Sequence, residues 1–220
     1  MRSQFDQQLA QLHRELIEMG ALCEEVIALS SQALTEGDAS LARRVAPLDR
    51  DIDRKERDIE NLCLRLLLHQ QPVAGDLRRI STAIKVVTDI ERMGDHAADI
   101  AEIIPHLVTV RRDGDPAVSQ AIRMGQKAHK MILDALAALA GEDEPAAQKV
   151  IAADDEVDYD FNAIKRTLAE EIAADPAKVD AALDLLMVIK YLERIGDHAV
   201  NIAEWVVYAI TGLYKGEVLR

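Results

Sequence analysis

The residues with chemistry to offer are carboxylates spaced four apart. Glu91, Asp95 and Asp99 follow one another at this interval, with Glu102 beyond them, and Glu193, Asp197, Asn201 and Glu204 repeat the series later in the chain. Asp49 and Asp53 form a further pair of this kind, as do Asp154 and Asp158. Residues four apart on a helix share a face, one turn above each other, so each series is an acidic ridge. Like charges at this spacing destabilise a helix by roughly 0.2–0.5 kcal/mol per pair, and by more where solvent is excluded. Three compensations are open. The acids can pair with nearby arginines such as Arg50, Arg54, Arg92 and Arg194 and otherwise stay hydrated. They can hold a cation, since clustered carboxylates supply the hard oxygen ligands that magnesium, manganese or iron prefer. Or burial and like charge can raise the pKa of one member of each pair until it keeps its proton.

The histidines are expected to stand apart from these ridges. His96 and His198 fall five residues after Glu91 and Glu193, about 140° around a helix, at heptad position f, which is expected to point outward. None of the six histidines has a glutamate three residues before it, so the Glu-x-x-His pairs of ferritin-like diiron proteins are missing. No glycine-rich phosphate loop and no G-x-S-x-G elbow occurs. His129, among Ile122, Ile132 and Leu136, reads as a satisfied histidine at a core edge. Tyr191, His198 and Trp205 all occupy f positions one heptad apart. They form either an outward ridge suited to a partner, because large amphipathic side chains dominate binding energy, or a surface that two packed bundles cover.

The elements that position these residues come in two copies. Met19-Gly20 recurs as Met124-Gly125, and Asp49, Ile52, Asp53 and Ile59 recur as Asp154, Val157, Asp158 and Ile164, all at an offset of 105. Further on the offset is 102, with Glu91-Arg92-Met93-Gly94-Asp95-His96 answered by Glu193-Arg194-Ile195-Gly196-Asp197-His198. Breakers at Gly37-Asp38 and Gln71-Pro72 cut the first copy into three segments, and Gly141-Glu142-Asp143 and Asp175-Pro176 cut the second. Arg112-Asp113-Gly114-Asp115-Pro116 links the halves. The fold expected is all-α, with six helices in two tandem up-down-up three-helix bundles, residues 1–111 and 116–220, since short connections make neighbouring helices antiparallel. On the last helix of each half, heptads counted from Leu77 and Val179 place Glu91 and Glu193 at a, and Gly94 and Gly196 at d. The acids are therefore expected to interrupt an apolar packing seam, with a glycine one turn away that permits close approach.

Composition narrows the function. The chain has 220 residues, 49% hydrophobic and 3% aromatic, enough to bury a core without staples. Its 26 basic and 39 acidic residues give a net charge of −13, which repels phosphate backbones and anionic headgroups and argues against nucleic acid as a partner. Cys23 and Cys63 make no metal or redox spacing. The opening lacks an apolar signal region, and no apolar run approaches the ~18 residues of a membrane span. A cytoplasmic protein is expected.

The two ERxGDH motifs, in Asp89–Ala97 and Tyr191–Glu204, together with the six-helix duplication and the paired acids on the middle and last segments, resemble the PhoU family of bacterial phosphate-signalling proteins. The resemblance covers essentially the whole chain. It implies a non-enzymatic, usually dimeric negative regulator, linking the phosphate ABC transporter to the sensor histidine kinase of the phosphate two-component system. Membrane association would then come through protein partners only. Because some family members bind iron or zinc clusters, it also implies a metal (Fe, Zn, Mn or Mg) held by Asp49, Asp53, Glu91, Asp95 and Asp99 in the first half. The corresponding ligands of the second half are Asp154, Asp158, Glu193, Asp197 and Asn201. Asn201 stands where the first half has Asp99, so the first site is expected to be tighter. The alternatives are a metal-free helical adaptor and a metal-dependent phosphohydrolase.

Overall fold

A computed structural model describes residues 2–70, 72–110 and 114–218. Among them are six long helices: α1 (Arg2–Glu36), α3 (Val45–Gln70), α4 (Ala74–Val110), α5 (Pro116–Gly141), α6 (Glu144–Ala174) and α7 (Val179–Thr211). A single-turn α2 (Ala39–Ala42) follows α1, and a 3₁₀ turn at Pro176–Lys178 precedes α7. The breakers act as their chemistry predicts. Gly37 takes a left-handed φ of +62° after α1. Asp115 caps α5 by accepting from the Ala117 and Val118 amides, and Asp143 caps α6 by accepting from Ala146. Prolines at the first helical turns of α5 and α6 lack only a donor that would have no helical partner. Gln71 and the Arg112-Asp113 part of the expected link lie outside the described residues.

An addition to the expected helices is a small hairpin after Gly212, pairing β1 (Leu213–Tyr214) with β2 (Glu217–Val218). Its turn, Lys215-Gly216, has positive φ at both residues, as a tight two-residue hairpin connection requires.

Each half packs as the duplication predicts. Lys55 of α3 reaches Glu15 and Glu18 of α1, the latter at 2.6 Å. Lys127 of α5 reaches Asp160 and Glu156 of α6, at 2.8 and 3.5 Å. The halves then join through α4 against α7, the broadest helix contact in the molecule, and α1 against α5. The α4–α7 crossing is antiparallel: Thr82 Oγ1 donates to the Trp205 carbonyl at 3.5 Å near one end, and His106 pairs with Asp184 near the other. Corresponding helices therefore meet about a pseudo-twofold. Two clefts of about 430 and 470 Å³ open between the halves; neither is lined by the acidic ridges.

The buried line of α4 and α7 differs from the expected seam. Leu77 and Val179, the first a positions, are exposed. The fully buried line runs instead through c, d and g: Ile80, Val86, Val87, Ile90, Met93 and Ala97 in α4, and Ala182, Val188, Ile189, Leu192, Ile195 and Ala199 in α7. Each of these helices faces its own bundle and the other half at once, so its buried arc is wider than a two-partner heptad allows. Glu91 and Glu193 consequently lie at the margin of the core, not within it.

Candidate functional site

Gly94 decides how closely α3 meets α4. A Cβ there would lie 2.9 Å from Ile52 Cδ1 and 3.1 Å from Asp49 Oδ1, so the missing side chain admits both. Ile52 is fully buried and fixes the register that brings Asp49 and Asp53 of α3 beside Asp95 of α4. One carboxylate oxygen from each of these three lies within 4.8 Å of the others. At an effective dielectric near 20, two unit charges at that distance repel by about 3 kcal/mol. Asp49 Oδ1 is buried with no hydrogen-bond partner.

The acids respond as crowded, half-buried groups do. Burial, then the charges of Asp95, Asp53 and Asp99, raise Asp49 to a pKa of about 6. Burial, then Asp95 and Glu56, raise Glu91 to about 7. Asp95 is also raised, by burial first, against the opposing pull of Arg92. The arginines reach this cluster only from its solvent side: Arg92 stands 3.5 Å from Glu91 and 3.7 Å from Asp95, and Arg57 stands 3.9 Å from Asp53, with both side chains more than half exposed. Exposed pairs of this kind contribute little, so arginine pairing leaves most of the repulsion uncompensated. Glu56 is a further member that the four-residue spacing misses. It falls seven residues after Asp49 and three after Asp53, hence on the same face, and is itself raised by burial, Glu60 and Asp53.

The second cluster repeats four of these acids, as Asp154, Asp158, Glu193 and Asp197, in a different arrangement. Asp154 is raised to about 6 by burial, then by Asp158, Asp197, Asp155 and Glu193. A Cβ on Gly196 would stand 3.6 Å from Val157 Cγ1 and 3.8 Å from Asp154 Oδ1, a looser fit than at Gly94. Among the described residues, only Asp49, Asp53 and Asp95 form a convergent acid or histidine group. Lys190 pairs with Glu193, and its charge opposes the burial that raises Asp197.

Asp99 and Asn201 belong elsewhere. Asp99 hydrogen-bonds Tyr191 across the α4–α7 seam, and its Oδ2 stands 3.9 Å from His96 Nδ1. Asn201 donates from Nδ2 to Asp89 Oδ1 at 3.2 Å, and the same oxygen lies 2.8 Å from His198 Nδ1. Contrary to the outward placement expected of position f, His96 is buried. It stacks on Tyr191 and lies 5.5 Å from His198 between ring centroids. Burial, then His198 and two arginines, lower its pKa to about 4. Tyr191 and His198 lie in the seam between the halves, whereas the Trp205 ring stacks at 4.3 Å on Tyr214 of the C-terminal hairpin of its own half. Glu204, at the end of the second ridge, holds that hairpin through Lys215 at 3.0 Å. His129 Nε2 is buried without a hydrogen-bond partner.

The profile of the PhoU domain matches residues 16–104 and matches again over residues 121–206. The chain belongs to the PhoU family. Each match falls on one set of three long helices, so the duplication read from the sequence is the PhoU domain repeated. The chain is 40% identical over 212 residues to the phosphate-specific transport system accessory protein PhoU homolog of Clostridium acetobutylicum, spanning 96% of each chain. To the protein of the same name from Synechocystis it is 37% identical, over 96% of this chain and 93% of that one. The crystal structure of PhoU from Pseudomonas aeruginosa superposes with a TM-score of 0.91 at 34% identity, covering 95% of this chain and all of that one. That of the phosphate transport system regulatory protein PhoU from Streptococcus pneumoniae gives 0.85 at 28%, covering 96% and 98%.

Of the metal ligands implied for a PhoU protein, those of the first half suit a hard cation: three converging carboxylates and a buried oxygen without a partner. Those of the second half do not, because an ammonium already engages Glu193 and the oxygens do not converge.

Proposed function

We propose that this chain is the regulatory accessory protein of a phosphate-specific transport system. It acts in the cytoplasm without a catalytic step, restraining uptake when phosphate is plentiful by linking the phosphate ABC transporter to the sensor histidine kinase, as a homodimer. The likeness of both halves to PhoU proteins over nearly the full length supports this reading. No described helix is long and apolar enough to cross a membrane, so association with the membrane would run through those protein partners.

The observation that carries the cation part of the reading is the meeting of Asp49, Asp53 and Asp95 around an oxygen with no partner. Asp49, Asp53 and Asp95 would hold a divalent or iron-type ion, with Glu91 at its edge. The ion would supply positive charge between opposed carboxylates and so hold α3 against α4. Co-purification of the transporter and the kinase with the tagless protein, at high and at low phosphate, tests the regulatory role; phosphate-independent absence of both would refute it. Elemental analysis of wild-type protein beside an Asp49→Asn/Asp95→Asn variant tests the ion. Metal lost in the variant is the expected result, whereas metal retained would remove these residues from the site. No metal in either protein would leave the adaptor without an ion.

A further inference from the structure

The two halves differ at several positions that flank the acids, Arg50, Arg54 and Arg57 of the first being Asp155, Tyr159 and Asn162 in the second, and two of the differences bring a cation in. Where the first half has Thr88, the second has Lys190, and where the first has Glu56, the second has Phe161. The Thr88 hydroxyl only returns to its own helix, donating to the Ile84 carbonyl at 3.3 Å. Lys190, 39% exposed, instead pairs with Glu193, whose side chain is 14% exposed. Its Nζ also stands 5.3 Å from the centre of the Phe161 ring, with Lys165 Nζ 5.1 Å from the same ring, the placement in which an aromatic face attracts a cation. Phe161 thus replaces a carboxylate with a seat for an ammonium. The first cluster counts five carboxylates, Asp49, Asp53, Glu56, Glu91 and Asp95, and no lysine, its cations being Arg57 and Arg92 at 3.5–3.9 Å on the solvent side. The second counts four, Asp154, Asp158, Glu193 and Asp197, with Lys190 among them.

We infer that the Lys190 ammonium is the resident counter-cation of the second acid cluster, so that this chain carries one site for a metal ion and not two. A covalently tethered charge is always present and needs no ion from solution. It engages Glu193, the counterpart of the edge acid Glu91, its charge also reaches Asp197, and a dication brought beside it would meet like charge. Lys190 is in this sense the residue that decides which half accepts a metal. The inference rests on the cation reading of the first cluster for its metal readout, and it has a second readout that does not.

The test uses the full-length, tagless protein, stripped with chelator and titrated with Mn²⁺ by calorimetry, with bound manganese measured after gel filtration. Wild type is expected to bind one equivalent, Lys190→Thr two, and Lys190→Arg one. Lys190→Thr combined with Asp49→Asn and Asp95→Asn is expected to return to one. Two equivalents in wild type, or one in a folded Lys190→Thr protein, would overturn the assignment. If neither wild type nor Lys190→Thr binds Mn²⁺, the cation reading of the first cluster has failed, and urea unfolding of Lys190→Met, Glu193→Gln and the double variant decides alone. A double variant that loses less stability than the two single losses together supports the counter-ion, and strict additivity refutes it.

Discussion

Replacing Gly94 and Gly196 by alanine asks whether the two halves hold their acids equally tightly. Both glycines lie mid-helix, where alanine is favoured by about 1 kcal/mol, so propensity alone predicts equal stabilisation. Packing separates them. At 94 the new methyl would stand 2.9 Å from Ile52 Cδ1 and 3.1 Å from Asp49 Oδ1, well inside the usual carbon contact of about 3.5–4.0 Å, and Ile52 has no exposed surface into which to retreat. Overpacking of this kind costs about 1–3 kcal/mol, leaving Gly94→Ala between neutral and about 2 kcal/mol destabilised. At 196 the closest atoms stand at 3.6 and 3.8 Å, ordinary contact, so Gly196→Ala keeps the gain of about 1 kcal/mol. The difference between the variants removes propensity and isolates the crowding. At about 2–4 °C per kcal/mol for a chain of this size, Gly94→Ala should melt roughly 2–12 °C below Gly196→Ala by scanning calorimetry in chelator. The same methyl displaces Asp49 Oδ1, so Mn²⁺ should bind more weakly to Gly94→Ala and unchanged to Gly196→Ala. Equal shifts of the same sign would refute the claim that Gly94 sets the α3–α4 approach.

Two further outcomes follow from the charges. Glu91 is raised from 4.5 to about 7, and Asp49 and Asp154 from 3.8 to about 6, each by burial first. Between about pH 4 and 7 the folded chain therefore holds protons that the unfolded chain has released, and stability must fall as pH rises through that window. At about 1.4 kcal/mol per unit, Glu91 alone contributes about 3 kcal/mol, its side chain being only 17% exposed. Urea unfolding in chelator should show stability lost from pH 5 to 8, with Glu91→Gln flattening the profile, and a flat wild-type curve would contradict it. Asn201→Asp, which restores the residue of the first half, should destabilise by about 1–3 kcal/mol without changing Mn²⁺ stoichiometry, because it sets a second carboxylate against Asp89. A gain in bound manganese would return position 201 to the metal site.

The six helices and their ends were legible because caps and breakers are local: Gly37, Asp115 and Asp143 act through backbone groups a few residues away. The acid pairs were legible for a similar reason, since i, i+4 spacing fixes a face whatever the tertiary fold. Glu56 was missed because a search at one interval overlooks residues three and seven away, though the signal was present. Lys190 needed the repeat to be aligned and the differences weighed as charge, not only the identities matched. The burial of His96 was not legible in that way. Position f points outward only from a two-partner seam, and nothing local announces that α4 and α7 each carry a second buried face.

The seam also explains why the copies could diverge at some positions only in concert. About the pseudo-twofold, position 89 meets 201 and position 191 meets 99, so a residue in one copy answers a residue at a different position of the same helix in the second. The pairs are Asp89 with Asn201 and Tyr191 with Asp99: an acceptor meets an amide donor in one, and a phenol donor meets an acceptor in the other. Had both copies kept the aspartates of the first, Asp89 would face an aspartate at 201, two carboxylates about a hydrogen-bond length apart and mostly out of water. An exact duplicate would have failed there, and each partner matches the other only as changed. Asn201 is thus better understood as the complement of Asp89 than as a weakened metal ligand, and on the assignment of Lys190 proposed above the difference between the two acid clusters falls instead to Lys190 and Phe161, whose contacts among the described residues stay within the second half.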